Sequence, residues 1–208
     1  MVDPRVGIIE DRLNNVDNLI PVASGKGGVG KSLVASTTAL IASREMDYEV
    51  GLLDLDLHGP SAHVILGADN FEFPEEEKGI VPPVVEGIKF MSTVYYSQEN
   101  PAPLRGDDIS NAIREILSVT RWGSLDYLIL DMPPGIGNET LDTIQLMPKS
   151  EFLVITTPSK VALSTVRKLV SMLREINVPI EGVLENMKTE SSPSIKEEIK
   201  ELEVPYLG

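Results

Sequence analysis

The chain has 208 residues, 42% of them apolar, which is ordinary for a folded protein and suits a single hydrophobic core spanning 1–208. Lys and Arg number 18 against 32 Asp and Glu, and the formal charge of −14 argues against nucleic acid and anionic membrane as partners. Cysteine is absent, which excludes disulfides, thiolate zinc sites, thiolate-held iron-sulfur clusters and cysteine nucleophiles.

Residues 1–17 carry charges throughout, with no apolar run of signal-peptide length, and no window approaches the ~18 apolar residues of a membrane span. The expectation is a cytoplasmic, soluble protein. A first strand is expected over 19–23, followed by a glycine-dense stretch and a helix over 31–44. A second strand spans 50–55. Five prolines and the acidic run 75–77 mark 68–103 as an excursion from the sheet, with one short strand over 88–92. A helix over 107–121 leads to a strand over 127–130, and a strand over 152–156 to a helix over 160–176. The chain closes with a strand over 180–184, a helix over 195–202 and a strand over 205–207. Strands alternate with helices, and the strand runs are continuously apolar. That pattern belongs to an α/β fold: a doubly wound, mostly parallel sheet with helices on both faces.

The strongest local signal is Gly25-Lys26-Gly27-Gly28-Val29-Gly30-Lys31-Ser32, which fits the phosphate-loop pattern G-x-x-x-x-G-K-[ST] between a strand and a helix. Glycines let several backbone N–H groups turn toward one anion, and the helix N-terminus adds partial positive charge. In this pattern Lys31 reaches the β and γ phosphates and the Ser32 hydroxyl ligates Mg²⁺. Gly25, Gly27 and Gly30 also fit a dinucleotide fingerprint, with Asp54 ending the next strand. A dinucleotide loop has no need of the Lys31-Ser32 pair, so a nucleoside triphosphate is the preferred ligand. The pattern alone leaves Lys26 either functional or a solvated side chain.

Two apolar runs end in carboxylates, Asp54-Leu55-Asp56 and Asp131, at the strand ends where open α/β sheets bind ligands. Asp131 reads as a Walker-B residue holding Mg²⁺ through water, and the turn 133–137 as a sensor of the γ phosphate. Helix capping and turn formation are the plainer roles for all three aspartates. Trp122 and Tyr127 read as packing residues, and Ile195, Ile199 and Leu202 as a core-facing stripe.

Six motifs in order, SGKGGVGKS (24–32), LDLDLHGPS (53–61), LRG (104–106), WGSLDYLILDMPPGIGN (122–138), TTP (156–158) and ENM (185–187), resemble the Mrp-type ATPases. These are deviant-Walker P-loop NTPases, related to Min-type and Par-type positioning ATPases. The resemblance implies a homodimer that encloses two ATP molecules, with Lys26 reaching the partner's phosphates. It also implies that Asp56 orients the attacking water, that Asp54 sits near the magnesium shell and that Asn186 reads the purine edge. ATP hydrolysis in iron-sulfur cluster assembly or transfer is the implied function, with an assembly partner or apo-protein client. A nucleotide-switched positioning or partner-binding ATPase is the alternative.

The resemblance breaks at 188–194, KTESSPS, where the family carries a Cys-x-x-Cys pair that holds a cluster between subunits. Without a thiolate, that function does not carry over. His58 and His63 are no substitute, because His58 lies inside the 53–61 motif. Asn138 stands where the family usually has Asp. Relatives also continue past Gly208 through another loop and helix, so both a shortened member and a partial sequence are consistent with the resemblance.

Overall fold

The computed structural model describes residues 3–68, 73–97, 107–190, 192 and 194–208. Its elements begin with α1 (Arg5–Leu13), β1 (Val16–Ser24), α2 (Lys31–Met46), β2 (Val50–Asp54) and α3 (Ala62–Leu66). Next come β3 (Val84–Val85), β4 (Ile88–Ser92), α4 (Val94–Ser97), α5 (Asp107–Val119) and β5 (Leu125–Asp131). The last are α6 (Asn138–Leu146), β6 (Phe152–Thr156), α7 (Lys160–Glu175), β7 (Ile180–Glu185) and α8 (Lys196–Lys200).

The strands form one sheet in the order β3-β4-β2-β5-β1-β6-β7. Only β3 against β4 is antiparallel; the other pairings among the described strands are parallel. Strands β2 and β6 are buried at every position. Successive side chains of a strand point to opposite faces, so this burial requires cover on both, as a doubly wound sheet provides. On the helical side, α2 packs on β1, β2 and β5, whereas α1, α5 and α6 pack against one another. A cluster of buried apolar side chains extends from Ile9 to Val204 and includes Trp122, Ile195 and Ile199 as expected. Tyr127 meets Tyr48 edge to face, with ring centroids 5.1 Å apart.

Three expectations need correction. The strand over 88–92 forms, but it lies inside the sheet beside β2 rather than on an excursion. Ile88, Phe90 and Met91 are fully buried there, and the prolines flank the strand without interrupting it; the Pro83 carbonyl even accepts the Phe90 N–H at 2.9 Å. Residues 205–207 make one parallel bridge, Val183 to Tyr206, rather than a strand. The helix over 195–202 is shorter, because Glu203 at φ +51 turns the chain out of helical geometry soon after Lys200.

Helix α1 was not expected, since only Ile9 and Leu13 of it are buried and so short a stripe carries little periodic signal. Asp3 starts it by accepting the Arg5 backbone N–H at 3.0 Å. The Arg5 guanidinium, 2.6 Å from Asp3, holds that carboxyl down to about 2.

Candidate functional site

The centre of the sheet delivers β1, β2 and β5 to one edge, where Asp54 pairs with Asp131 in register and Asp131 with Val22. The glycine-dense loop leaves β1 at this edge. Gly28 and Gly30 take φ +76 and +82, the left-handed region that glycine occupies without steric cost, and Gly30 turns the chain straight into α2. The loop is braced from three sides. The Ser24 hydroxyl donates to the Lys26 carbonyl at 2.9 Å, Gly135 N–H to the Ser24 carbonyl at 3.0 Å, and Asn186 Nδ2 to the Val29 carbonyl at 2.9 Å.

Gly25 packs tightly against α7. A Cβ there would stand 2.5 Å from Thr165 Oγ1 on α7 and 2.7 Å from the Thr165 backbone carbon. Gly25→Ala is therefore expected to push the loop off α7 and weaken nucleotide binding about 5- to 150-fold, the effect of about 1–3 kcal/mol of overpacking. Titration with ATP against a thermal melt checks this; unchanged affinity would show that α7 does not set the loop.

Beneath the loop, the Lys31 ammonium is buried and paired with Asp131 Oδ1. Asp131 Oδ2 is buried and has no hydrogen-bond partner among the described residues. Burial pushes the Asp131 carboxyl up, while Lys31 and the Ser32 hydroxyl draw it down. Asp54 accepts three backbone N–H groups: Asp56 at 3.0 Å on Oδ1, and Ser61 and Ala62 at 3.1 and 3.2 Å on Oδ2. It thereby caps α3 from a distance and ties down the segment between β2 and α3. Burial, and next the charge of Asp131, raise its carboxyl to about 7. Asp56 is half-buried and accepts the Gly59 N–H at 3.1 Å.

Gly27, Lys31, Ser32, Asp56, Ser61 and Pro134 line a cavity of about 360 Å³. That is within the range of small-molecule sites. The structure thus brings Gly25, Gly27, Gly28, Val29, Gly30, Lys31, Ser32, Asp54, Asp56, Asp131 and Asn186 together. Lys26 is half-buried, and its ammonium has no hydrogen bond or ion pair among the described residues. Asn186 arrives with its amide donor already engaged by the loop. The LRG motif lies outside the described residues, as do the Asn138 side chain and residues 191 and 193. His58 is exposed and His63 buried.

Among the described residues no group of three or more His, Cys, Asp or Glu is placed to hold a metal by itself. Mg²⁺ asks for less: one or two protein oxygens, with phosphate and water supplying the rest. The unpartnered Asp131 Oδ2 and the adjacent Ser32 hydroxyl fit that demand. Both Asp54 oxygens already accept N–H groups, which suits a place behind the metal shell.

Four residues of the site lacked a role in the sequence reading. Thr165 acts through packing that no motif carries, and Ser24, the first residue of the 24–32 motif, through its hydrogen bond to the Lys26 carbonyl. Glu185 follows the rule that singles out Asp54 and Asp131, an apolar strand ending in a carboxylate, and opens the 185–187 motif. Tyr206 donates to Glu185 Oε2 at 2.6 Å, and that bond raises its phenol above the ordinary value.

Comparison with known proteins agrees with this fold. The protein-family description "NUBPL iron-transfer P-loop NTPase", of the ParA type, matches residues 15–203. An iron-sulfur cluster carrier protein from Pseudomonas fragi is 42% identical over 178 residues, covering 84% of this chain and 62% of that protein. The chain therefore spans less than two thirds of that relative. Among solved structures, a nucleotide-binding protein from Archaeoglobus fulgidus in complex with ADP superposes with a TM-score of 0.83 at 28% identity, covering 97% of this chain and 84% of the other. The cell division ATPase MinD of Pyrococcus furiosus shares the fold, with a TM-score of 0.65 at 17% identity over 92% of this chain and 81% of that one.

Proposed function

The chain belongs to the NUBPL iron-transfer P-loop NTPase family, and from that membership we propose that it binds ATP with Mg²⁺ and hydrolyses it to ADP and phosphate. The observation that carries this reading is the buried Lys31–Asp131 pair, with an unpartnered Asp131 oxygen, directly under a loop of left-handed glycines. In the proposed complex the loop N–H groups and the α2 N-terminus receive the phosphates. Lys31 leaves Asp131 for the β and γ phosphates, which frees Asp131 and Ser32 to hold the metal. Bound Mg²⁺ supplies charge neutralisation on the phosphate oxygens. Asp56 orients a water for attack on the γ phosphorus, the β–γ bridging bond breaks, and ADP leaves with the electron pair of that bond. Asp54 stays behind the metal shell and holds the Asp56 segment. Asn186 has its Nδ2 on Val29, which leaves Oδ1 to accept from an amino group on the purine edge.

The same proposal extends to a single nucleotide-binding domain over 1–208, acting in the cytoplasm as a homodimer. Its pathway is iron-sulfur cluster assembly or transfer, and its partner an assembly protein or an apo-protein client. With no cysteine in the chain, the thiolates that hold a cluster would come from that partner. Phosphate release by the purified chain, with Mg²⁺ and with chelator, tests the enzyme reading; no Mg²⁺-dependent release would overturn it.

Lys26 carries the dimer part of the proposal. Lys26→Ala is expected to leave ATP affinity of the monomer within about twofold, because its ammonium holds no hydrogen bond or ion pair among the described residues, and to abolish ATP-dependent dimerisation. Sedimentation with a non-hydrolysable ATP analogue is the measurement. Dimers formed equally well by wild type and variant would take Lys26 out of the interface.

A further inference from the structure

Glu185 ends β7 with its side chain wholly buried. Packing alone would favour an apolar residue there. Oε2 accepts the Tyr206 hydroxyl at 2.6 Å and lies 3.5 Å from the Lys188 ammonium. Oε1 is sealed from water with no hydrogen-bond partner among the described residues. A buried carboxylate satisfied on one side only lowers stability, so the partners it does hold point to its use.

Its partners bear on one short turn. Glu185 and Lys188 form the ends of that turn, and Met187 within it takes φ +58, a conformation that a side chain disfavours. Asn186 sits between them. Its backbone N–H donates to the Thr156 carbonyl at 2.8 Å, and its side chain reaches Val29 in the phosphate loop. Tyr206 approaches from the segment beside β7, where the Gly208 carbonyl accepts the Glu185 N–H at 2.5 Å. The Tyr206 ring also lies under two cations, with Lys188 at 6.0 Å and Lys196 at 5.6 Å from its centroid. Glu185 is the only acid in contact with Lys188 among the described residues, and Lys188 also donates to the Tyr206 hydroxyl at 3.3 Å, so the three side chains close one network on the turn.

We propose that Glu185 is a positioning residue for nucleotide binding: paired with Lys188 and Tyr206, it clamps the left-handed turn from which Asn186 holds the phosphate loop. The clamp acts on the loop through the Asn186–Val29 bond and touches neither phosphate nor metal. It rests on the reading of that loop as the nucleotide site.

The test uses the full 208-residue chain, with ATP affinity by titration, turnover by phosphate release and stability by thermal melt. Glu185→Gln keeps the size of the side chain and an acceptor for Tyr206 but loses the charge that holds Lys188. Lys188→Met removes the same pair from its exposed side, so it stays informative if the core variant folds poorly. Each is expected to weaken ATP binding and raise KM about five- to tenfold, with kcat within about twofold. Lys188→Arg should restore wild-type affinity, and the double variant Glu185→Gln/Lys188→Met should bind no more weakly than either single one. A purely structural Glu185 would lower the melting temperature without separating KM from kcat. Wild-type affinity in both single variants, additive losses in the double, or failure of Lys188→Arg to rescue would overturn the clamp alone. A wild-type chain that binds no ATP would overturn the nucleotide reading and the clamp with it.

Discussion

Lys31→Ala is expected to abolish ATP binding and to destabilise the chain, and the two losses have separable causes. Lys31 is 6% exposed and Asp131 is fully buried, so the pair is shielded from solvent. Removing the lysine leaves a buried carboxylate with neither oxygen paired by a cation, a change that costs about 3–5 kcal/mol. For a chain of this size that corresponds to a fall in melting temperature of roughly 10 °C. Binding is lost for a different reason, the missing ammonium at the β and γ phosphates. Lys31→Ala/Asp131→Asn removes the uncompensated charge and should recover most of the melting temperature while still failing to bind ATP. Thermal unfolding and ATP titration on the three proteins separate the two effects. If Lys31→Ala binds ATP as wild type does, the loop is not the nucleotide site. If the double variant melts as low as the single one, the buried charge is not what destabilises it.

The same pair shows what the sequence made legible and what it did not. Lys31 and Asp131 were each visible because each rests on a local signal, a glycine spacing or an apolar run that stops at a carboxylate. Their contact joins residues 100 positions apart and depends on strand order. Continuous apolar runs announce buried parallel strands but not their neighbours, which is why β4 was legible as a strand and misplaced outside the sheet. Asp54 illustrates the limit from another side. A strand-end acid was expected beside a metal, yet its two oxygens collect N–H groups from Asp56, Ser61 and Ala62. Backbone donors leave no mark in residue identity. Tyr206 was read as part of a strand because its neighbours are apolar, and its hydroxyl on Glu185 makes it a connector. Helix α1 went unseen for the opposite reason: its capping group, Asp3, precedes it, but only two buried positions give it a face.

Asp54 supplies the second large effect, a pH dependence of stability that runs opposite to the usual carboxylate. Burial and the neighbouring Asp131 raise its carboxyl from an ordinary 3.8 to about 7 in the folded chain. Between those values the folded state binds the proton more tightly than the unfolded state does. Stability from this group is therefore fully present below about pH 4 and is lost as pH rises through 7. At about 1.4 kcal/mol per pH unit over roughly three units, the loss approaches 4 kcal/mol as an upper bound. Asp3 works in the other direction, being held down to about 2 by Arg5, so its contribution is lost only on strong acidification. The two windows do not overlap. Asp54→Asn mimics the protonated carboxyl and carries no charge at any pH. Its amide presents an N–H₂ toward either the Asp56 donor or the Ser61 and Ala62 donors, which lowers stability by a constant amount. The wild-type melting temperature should thus fall between pH 5 and 7.5 more steeply than that of Asp54→Asn, and the difference between the two proteins should shrink or reverse toward pH 7.5. Parallel curves across that range would mean that Asp54 is ionised throughout, and that the three backbone donors outweigh its burial.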